Sequence, residues 1–259
     1  IGWRSDIENV TTGRLKEFYD TFYWPNNATV TVIGDFDKAK TLLLLDQKFG
    51  SISRSTHTIP EMYTTEPAQE GPRRVIVKRA GEMPIVGIAH KTPEGTNKDI
   101  YALQILGRIL GHGKTSRFYK RFMDTGLAAD VNVWSHPLHD NGLFITYLFI
   151  SGDDPCEEIE KGILEEYTTI INKGVEAEEL QRAKAQIKAE TAFTRDGTYS
   201  VASNLNEAIA LGDWTYYTTF LKNIENTSVD DVQRVAKMYL TEDQSTTGFF
   251  IPTSNNHNG

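Results

Sequence analysis

The chain has 259 residues, enough for one large or two modest domains, and its 39% hydrophobic and 24% charged content is that of an ordinary globular protein. Asp and Glu outnumber Lys and Arg by 35 to 27, giving a net charge of −8 with no basic stripe, which speaks against a nucleic-acid partner. One cysteine, Cys156, excludes an internal disulfide and a cysteine-built zinc site, and no apolar run reaches the length of a membrane span. The sequence opens on Ile1 rather than Met, which points to a segment of a longer polypeptide and makes the lack of a leader uninformative.

Residues 1–10 read as irregular, anchored by Trp3. Thr12 is placed to cap a helix from Gly13 to Tyr23, with Leu15, Phe18, Tyr19 and Phe22 along one face. Trp24-Pro25-Asn26-Asn27 breaks it, and the β-branched run Ala28–Ile33 reads as a strand. Gly34-Asp35-Phe36-Asp37 then turns the chain into a helix ending near Phe49-Gly50. This piece has no complete core of its own, so residues 1–50 read as the closing part of a first domain. Residues 51–72 hold Pro60, Pro67 and Pro72 among many Ser and Thr, the composition of an interdomain linker.

A second domain is expected over 73–253, followed by a tail at 254–259. It starts with strands Arg73–Arg79 and Ile85–His90 and a helix Asp99–Leu110. Glycines at 111 and 113 end that helix, a short helix opens at Ser116, and Gly126 leads into a strand Leu127–Trp134. Leu143–Ile150 is almost unbroken in its apolar character, which predicts a central strand covered on both faces. Asp154-Pro155-Cys156-Glu157 opens a helix that buries Ile159, Ile163, Tyr167, Ile170 and Ile171 and stops at Gly174. Helices at Glu176–Phe193, Tyr199–Leu211 and Trp214–Asn223, a last helix capped at Ser228, and a strand Thr246–Ile251 complete the chain. Strands first and packed helices after define an α+β fold.

The residues that could carry chemistry are few. Gly113-Lys114-Thr115 has the tail of a phosphate loop, but five residues rather than four separate Gly107 from Gly113, and the preceding residues are helical in spacing. Of six histidines only His136 and His139 are close together, with Pro137 between them, and neither His-Glu-x-x-His nor His-x-x-Glu-His occurs. No Gly-x-Ser-x-Gly elbow is present, and Cys156 reads as a small residue near a helix start. The pairs Glu157-Glu158, Glu165-Glu166 and Glu178-Glu179 lie opposite apolar stripes and read as solvated faces. Lys114, Arg117, Lys120 and Arg121 make one basic cluster in an acidic protein; Arg117, Lys120 and Arg121 are the candidates for meeting an acidic group such as a peptide carboxylate.

Several pieces in order resemble the insulinase/pitrilysin family of zinc metallopeptidases. Ile1-Gly2-Trp3, Tyr23-Trp24-Pro25-Asn26-Asn27-Ala28-Thr29 and Gly34-Asp35-Phe36-Asp37 look like the end of that family's first domain. Ser116-Arg117-Phe118, Gly126-Leu127-Ala128, Asn204-Leu205-Asn206-Glu207-Ala208, Gly212-Asp213-Trp214 and Val232-Gln233-Arg234-Val235-Ala236 are similar to its second. The resemblance implies a mostly antiparallel sheet covered by helices and a non-catalytic second domain that forms half of a peptide-enclosing chamber. It implies zinc in the full-length protein, held by residues upstream of Ile1, and none held by this segment. The implied partners are an unfolded or short peptide and either an upstream catalytic domain or a separate subunit. Many members hold substrate with an Arg and a Tyr; the Tyr position falls here at Ala129 and the Arg position near Met123, two residues from Arg121, a departure that favours an upstream domain in the same chain. The alternatives are a zinc-free scaffold subunit of the same family and, more distantly, a nucleotide-binding module. Export to a bacterial periplasm is the expectation from bacterial relatives.

Overall fold

In the computed structural model, which describes residues 2–61, 63–64, 66–152 and 155–253, three helices open behind the short polar caps Thr11, Asp37 and Ser228. Two compact units result, Ile1–Pro67 and Ala68–Gly259. The first unit opens with α1 (Arg4–Asn9), a short helix where an irregular stretch was expected; an Arg4–Glu8 ion pair at 2.6 Å, one turn apart, supplies its local support. Trp3 is 79% exposed and anchors nothing. The cap of α2 (Thr12–Phe22) is Thr11 rather than Thr12, because it is the Thr11 hydroxyl that accepts from the Arg14 N–H, at 3.3 Å. A single turn of 3₁₀ helix at Pro25–Asn27 follows, and Asp37 caps α3 (Lys38–Phe49) by accepting from the Lys40 N–H.

Residues 28–33, expected as a strand, start from an extended Ala28 but enter no ladder among the described residues. The β-branched composition sets the backbone angles, whereas a strand also needs a neighbour to bond.

The second unit holds one sheet of five strands: β1 (Arg73–Ala80), β2 (Ile85–Thr92), β3 (Ala128–Ser135), β4 (Gly142–Ile150) and β5 (Ser245–Thr253). Their order is β1-β5-β2-β4-β3; β1 and β5 run parallel and the other pairs antiparallel. The helices are α4 (Asp99–Gly111), α5 (Cys156–Lys173), α6 (Ala177–Thr194), α7 (Thr198–Ala210), α8 (Thr215–Asn226) and α9 (Val229–Tyr239). This is the α+β architecture read from the sequence. The expected Asp154 cap of α5 lies outside the described residues.

One face of the sheet carries the core. Val86, Ile88, Phe144, Leu148, Ile150 and Phe249 meet α4, α5 and α9 there, with Leu103, Leu106, Ile163, Tyr167 and Val235 sealed against them. At about 25 cal/mol per Å² of apolar area, burial of this kind is the main term holding the unit together. The expectation for Leu143–Ile150 is corrected here: β4 is second from the edge, and only its alternate residues are buried. Leu143, Ile145, Tyr147 and Phe149 point to the other face, so the unbroken apolar run marks a strand whose second face is apolar but uncovered by this unit's helices.

The two units share a module. Thr11 and Ser228 are both helix caps; each is followed by a helix of 11 residues, a 3₁₀ turn of three residues and an extended residue, Ala28 or Ser245, in the same spacing and without a gap. In the second unit Val232, Val235 and Ala236 are fully buried and β5 is paired on both edges. Their counterparts Leu15, Phe18 and Tyr19 are each more than half exposed.

Candidate functional site

The stretch from Gly111 to Ser135 is built on close contacts rather than on a ligand cradle. Gly111 ends α4 directly against β3: a Cβ there would lie 2.5 Å from Val133 Cγ2, so only glycine lets the helix approach. Gly113, at φ +77°, turns the chain in the left-handed region. Because the segment Gly113-Lys114-Thr115 follows a helix and not a strand, it lacks the setting of a phosphate loop. The short helix expected from Ser116 begins at Arg117 and widens into a π-turn at Tyr119–Met123, closed by the Asp124 N–H donating to the Tyr119 carbonyl. Phe118 and Phe122 are both buried, their rings 5.7 Å apart, and Phe118 also meets the Tyr167 ring.

Burial of those two rings turns the basic residues toward α5 and α6. Arg117 grips Glu179 through Nε and Nη2 at 2.8 and 2.7 Å, with both side chains less than a fifth exposed. The same Glu179 accepts from the Glu176 N–H and so also caps α6. Burial works to raise the Glu179 carboxyl, and the Arg117 fork and the cap amide outweigh it, leaving it below the usual carboxylate range. The fork in turn raises the Arg117 guanidinium. Arg121 reaches Glu165 and, at 3.2 Å, Glu166. Lys120 is exposed and has no ion pair among the described residues. Three basic residues within five positions thus divide into two internal clamps and one solvent-facing cation. Their glutamate partners lie some 44 to 62 residues further along, a distance at which sequence carries no pairing signal.

A separate cleft of about 690 Å³ opens between the β3–β4 loop and α6, α7 and α8; Trp134, Leu138, Arg195, Tyr217 and Phe220 are among its walls. His136 and His139 sit at its rim. His136 meets the Trp134 ring edge-on, and His139 pairs with Asp140 at 3.1 Å with both side chains largely exposed. The residues present do not fit a zinc ion: among the described residues no three side chains of His, Cys, Asp or Glu converge as a ligand set would. Cys156 is buried, and burial raises its thiol, the opposite of an activated nucleophile. Three buried polar atoms lack a protein partner among the described residues: His90 Nδ1, Thr92 Oγ1 and Ser135 Oγ. No helix among the described residues is long and apolar enough to cross a membrane.

The second unit is thus a five-stranded α+β sheet domain with helices on one face, in which Arg117 and Arg121 are paired with glutamates of α5 and α6. The family described as the Peptidase M16 inactive domain matches residues 9–187, and the chain belongs to this family. The zinc protease PqqE of Helicobacter pylori is 31% identical to it, with 97% of this chain and 57% of that protein aligned. The crystal structure of a protease from Helicobacter pylori superposes with a TM-score of 0.91 at 28% identity, covering 97% of this chain and 62% of that one. A peptidase M16 inactive domain from Pseudomonas fluorescens shares the fold, with a TM-score of 0.82 at 18% identity over 96% of this chain and 59% of that one. The chain therefore spans a little over half the length of such relatives.

Proposed function

We propose that this chain is the non-catalytic part of a zinc-dependent metalloendopeptidase and forms one wall of a chamber that encloses an unfolded or short peptide. In this reading the zinc ion and the water it activates are held by the rest of the full-length protein. The observation that carries it is the repeated module: Leu15, Phe18 and Tyr19 are apolar and exposed at the positions that are core in the second unit. Such a face supports packing against a further domain of the same protein. Arg117 and Arg121 act as fasteners between the π-turn and α5 and α6, and Lys120 is the basic residue left to face substrate.

The test is peptide hydrolysis. The full-length protein is expected to cleave a denatured reporter peptide, to lose activity with a chelator and to regain it with zinc, while the 259-residue chain alone is inactive. Chelator-sensitive cleavage by the 259-residue chain alone, or none by the zinc-loaded full-length protein, overturns the proposal.

A further inference from the structure

The cleft of about 690 Å³ between the β3–β4 loop and α6, α7 and α8 has the size of a site for a small molecule. Its shape is fixed by close contacts. The Gly95 N–H donates to the Leu138 carbonyl at 2.7 Å, and a Cβ at Gly95 would lie within 2.9 Å of Leu211, Leu138 and Pro137, so only glycine lets the loop close against α7. Tyr216 and Phe220 make an aromatic wall, their rings 5.6 Å apart, with Tyr101 stacked against Tyr216. Most polar side chains of the cleft are already engaged. Arg108 holds Glu190, Gln104 donates to the Tyr216 hydroxyl, and Asn204, Thr191 and Thr194 donate to backbone carbonyls. Three others are not. Ser135 is 8% exposed, and its hydroxyl has no partner among the described residues. It pairs with the core residue Phe144 in the ladder, so its side chain points to the helix side of the sheet, where the cleft lies. A buried hydroxyl left unpaired is costly, and a ligand atom relieves that cost. Arg195 donates to the Tyr217 carbonyl at 2.9 Å and lies over the Tyr217 ring, which fixes its place, yet it meets no carboxylate among the described residues. Glu207 borders the same cleft and has no ion pair among the described residues.

We propose that this cleft binds a free aromatic amino acid as its zwitterion. An aromatic wall, one unspent cation and one unspent anion around the same opening match a ligand with a ring, a carboxylate and an ammonium group. The ring lies against Tyr216 and Phe220. The Arg195 fork takes the carboxylate, and Glu207 takes the ammonium group. The Ser135 hydroxyl gains the partner that the protein does not supply. A ligand with a carboxylate alone would leave Glu207 uncompensated beside a second negative charge, and one with an ammonium group alone would do the same at Arg195. The site is built wholly from the second unit, so it stands whether or not the chain is part of a peptidase.

The experiment is calorimetric titration of the full-length protein with L-phenylalanine and two analogues. One, 3-phenylpropionate, lacks the ammonium group; the other, 2-phenylethylamine, lacks the carboxylate. L-Phenylalanine is expected to bind with a Kd below about 1 mM, and each analogue at least about 10-fold more weakly. Arg195→Gln is expected to weaken L-phenylalanine by about 10-fold or more and to leave 2-phenylethylamine unchanged. Glu207→Gln is expected to weaken L-phenylalanine similarly and to leave 3-phenylpropionate unchanged. Both side chains are exposed, so both variants are expected to keep the wild-type circular dichroism. Ser135→Ala is expected to weaken L-phenylalanine about 3–10-fold without lowering Tm, because it removes a hydroxyl that no protein group uses. Absence of saturable binding of L-phenylalanine up to about 10 mM overturns the proposal. So does equal affinity for all three compounds, which marks a merely apolar surface, and so does binding untouched by Arg195→Gln, which places it elsewhere in the full-length protein.

Discussion

Lowering the pH from 7 to 5 is expected to destabilise the second unit through one side chain, His90. It is 1% exposed, sits on β2 beneath α5, and its ring meets Tyr167 edge-on at 5.5 Å. Tyr167 donates its hydroxyl proton to Thr146 Oγ1 at 2.6 Å, and His90 Nδ1 has no partner. Burial is the one cause of its shift, and it holds the imidazole down at about 4 against an ordinary 6.5. Below pH 6.5 the unfolded chain takes up a proton there that the folded chain refuses, so stability falls as pH falls toward 4. At pH 5 the difference amounts to about 2 kcal/mol, nearly all of it absent at pH 7. For a unit of this size the urea midpoint should drop by about 1 M between the two pH values. His90→Leu keeps a similar volume and removes the titration, so its midpoint should drop by much less, and other groups cancel in the comparison. The reasoning fails if wild type and His90→Leu lose the same stability between pH 7 and pH 5, measured by far-ultraviolet circular dichroism.

Two further outcomes follow from the packing. Arg117→Ala leaves the largely buried Glu179 carboxylate without its fork and loosens the start of α6; a loss of about 1–3 kcal/mol is expected by urea unfolding, with Lys120→Ala near zero as the exposed control. Gly111→Ala forces its Cβ onto Val133 and should cost about 1–3 kcal/mol, read as a lower thermal midpoint; an unchanged midpoint would mean that α4 does not approach β3 as closely as described.

Period and punctuation made most of the second unit readable. The β1 to β5 strands and the helices at 99–111, 177–194 and 229–239 stand within a few residues of where apolar spacing and caps put them. What sequence could not supply is what depends on distant neighbours. The run at 28–33 has strand composition, yet no local rule says whether a pairing edge is at hand. Leu143–Ile150 is apolar on both sides, which sequence reads as two covered faces; only the sheet order reveals a second face left open. The partners of Arg117 and Arg121 sit on α6 and α5, beyond two intervening strands, so a cluster that reads as one basic patch proves to be mostly neutralised. Gly111 reads as a helix stop, whereas its stronger reason is the contact with Val133.

The place of β5 bears on how the polypeptide is made. It inserts between β1 and β2, although more than 150 residues separate it from either in the sequence. As the chain leaves the ribosome, β2 and β4 can pair early, but β1 has no neighbour until Ser245–Thr253 emerges. Two raw edges stay open throughout that interval, in segments rich in Val and Ile. The nascent domain is then most vulnerable to aggregation in the interval before Ser245–Thr253 emerges, and a chaperone that shields the strand Arg73–Ala80 has its greatest effect there.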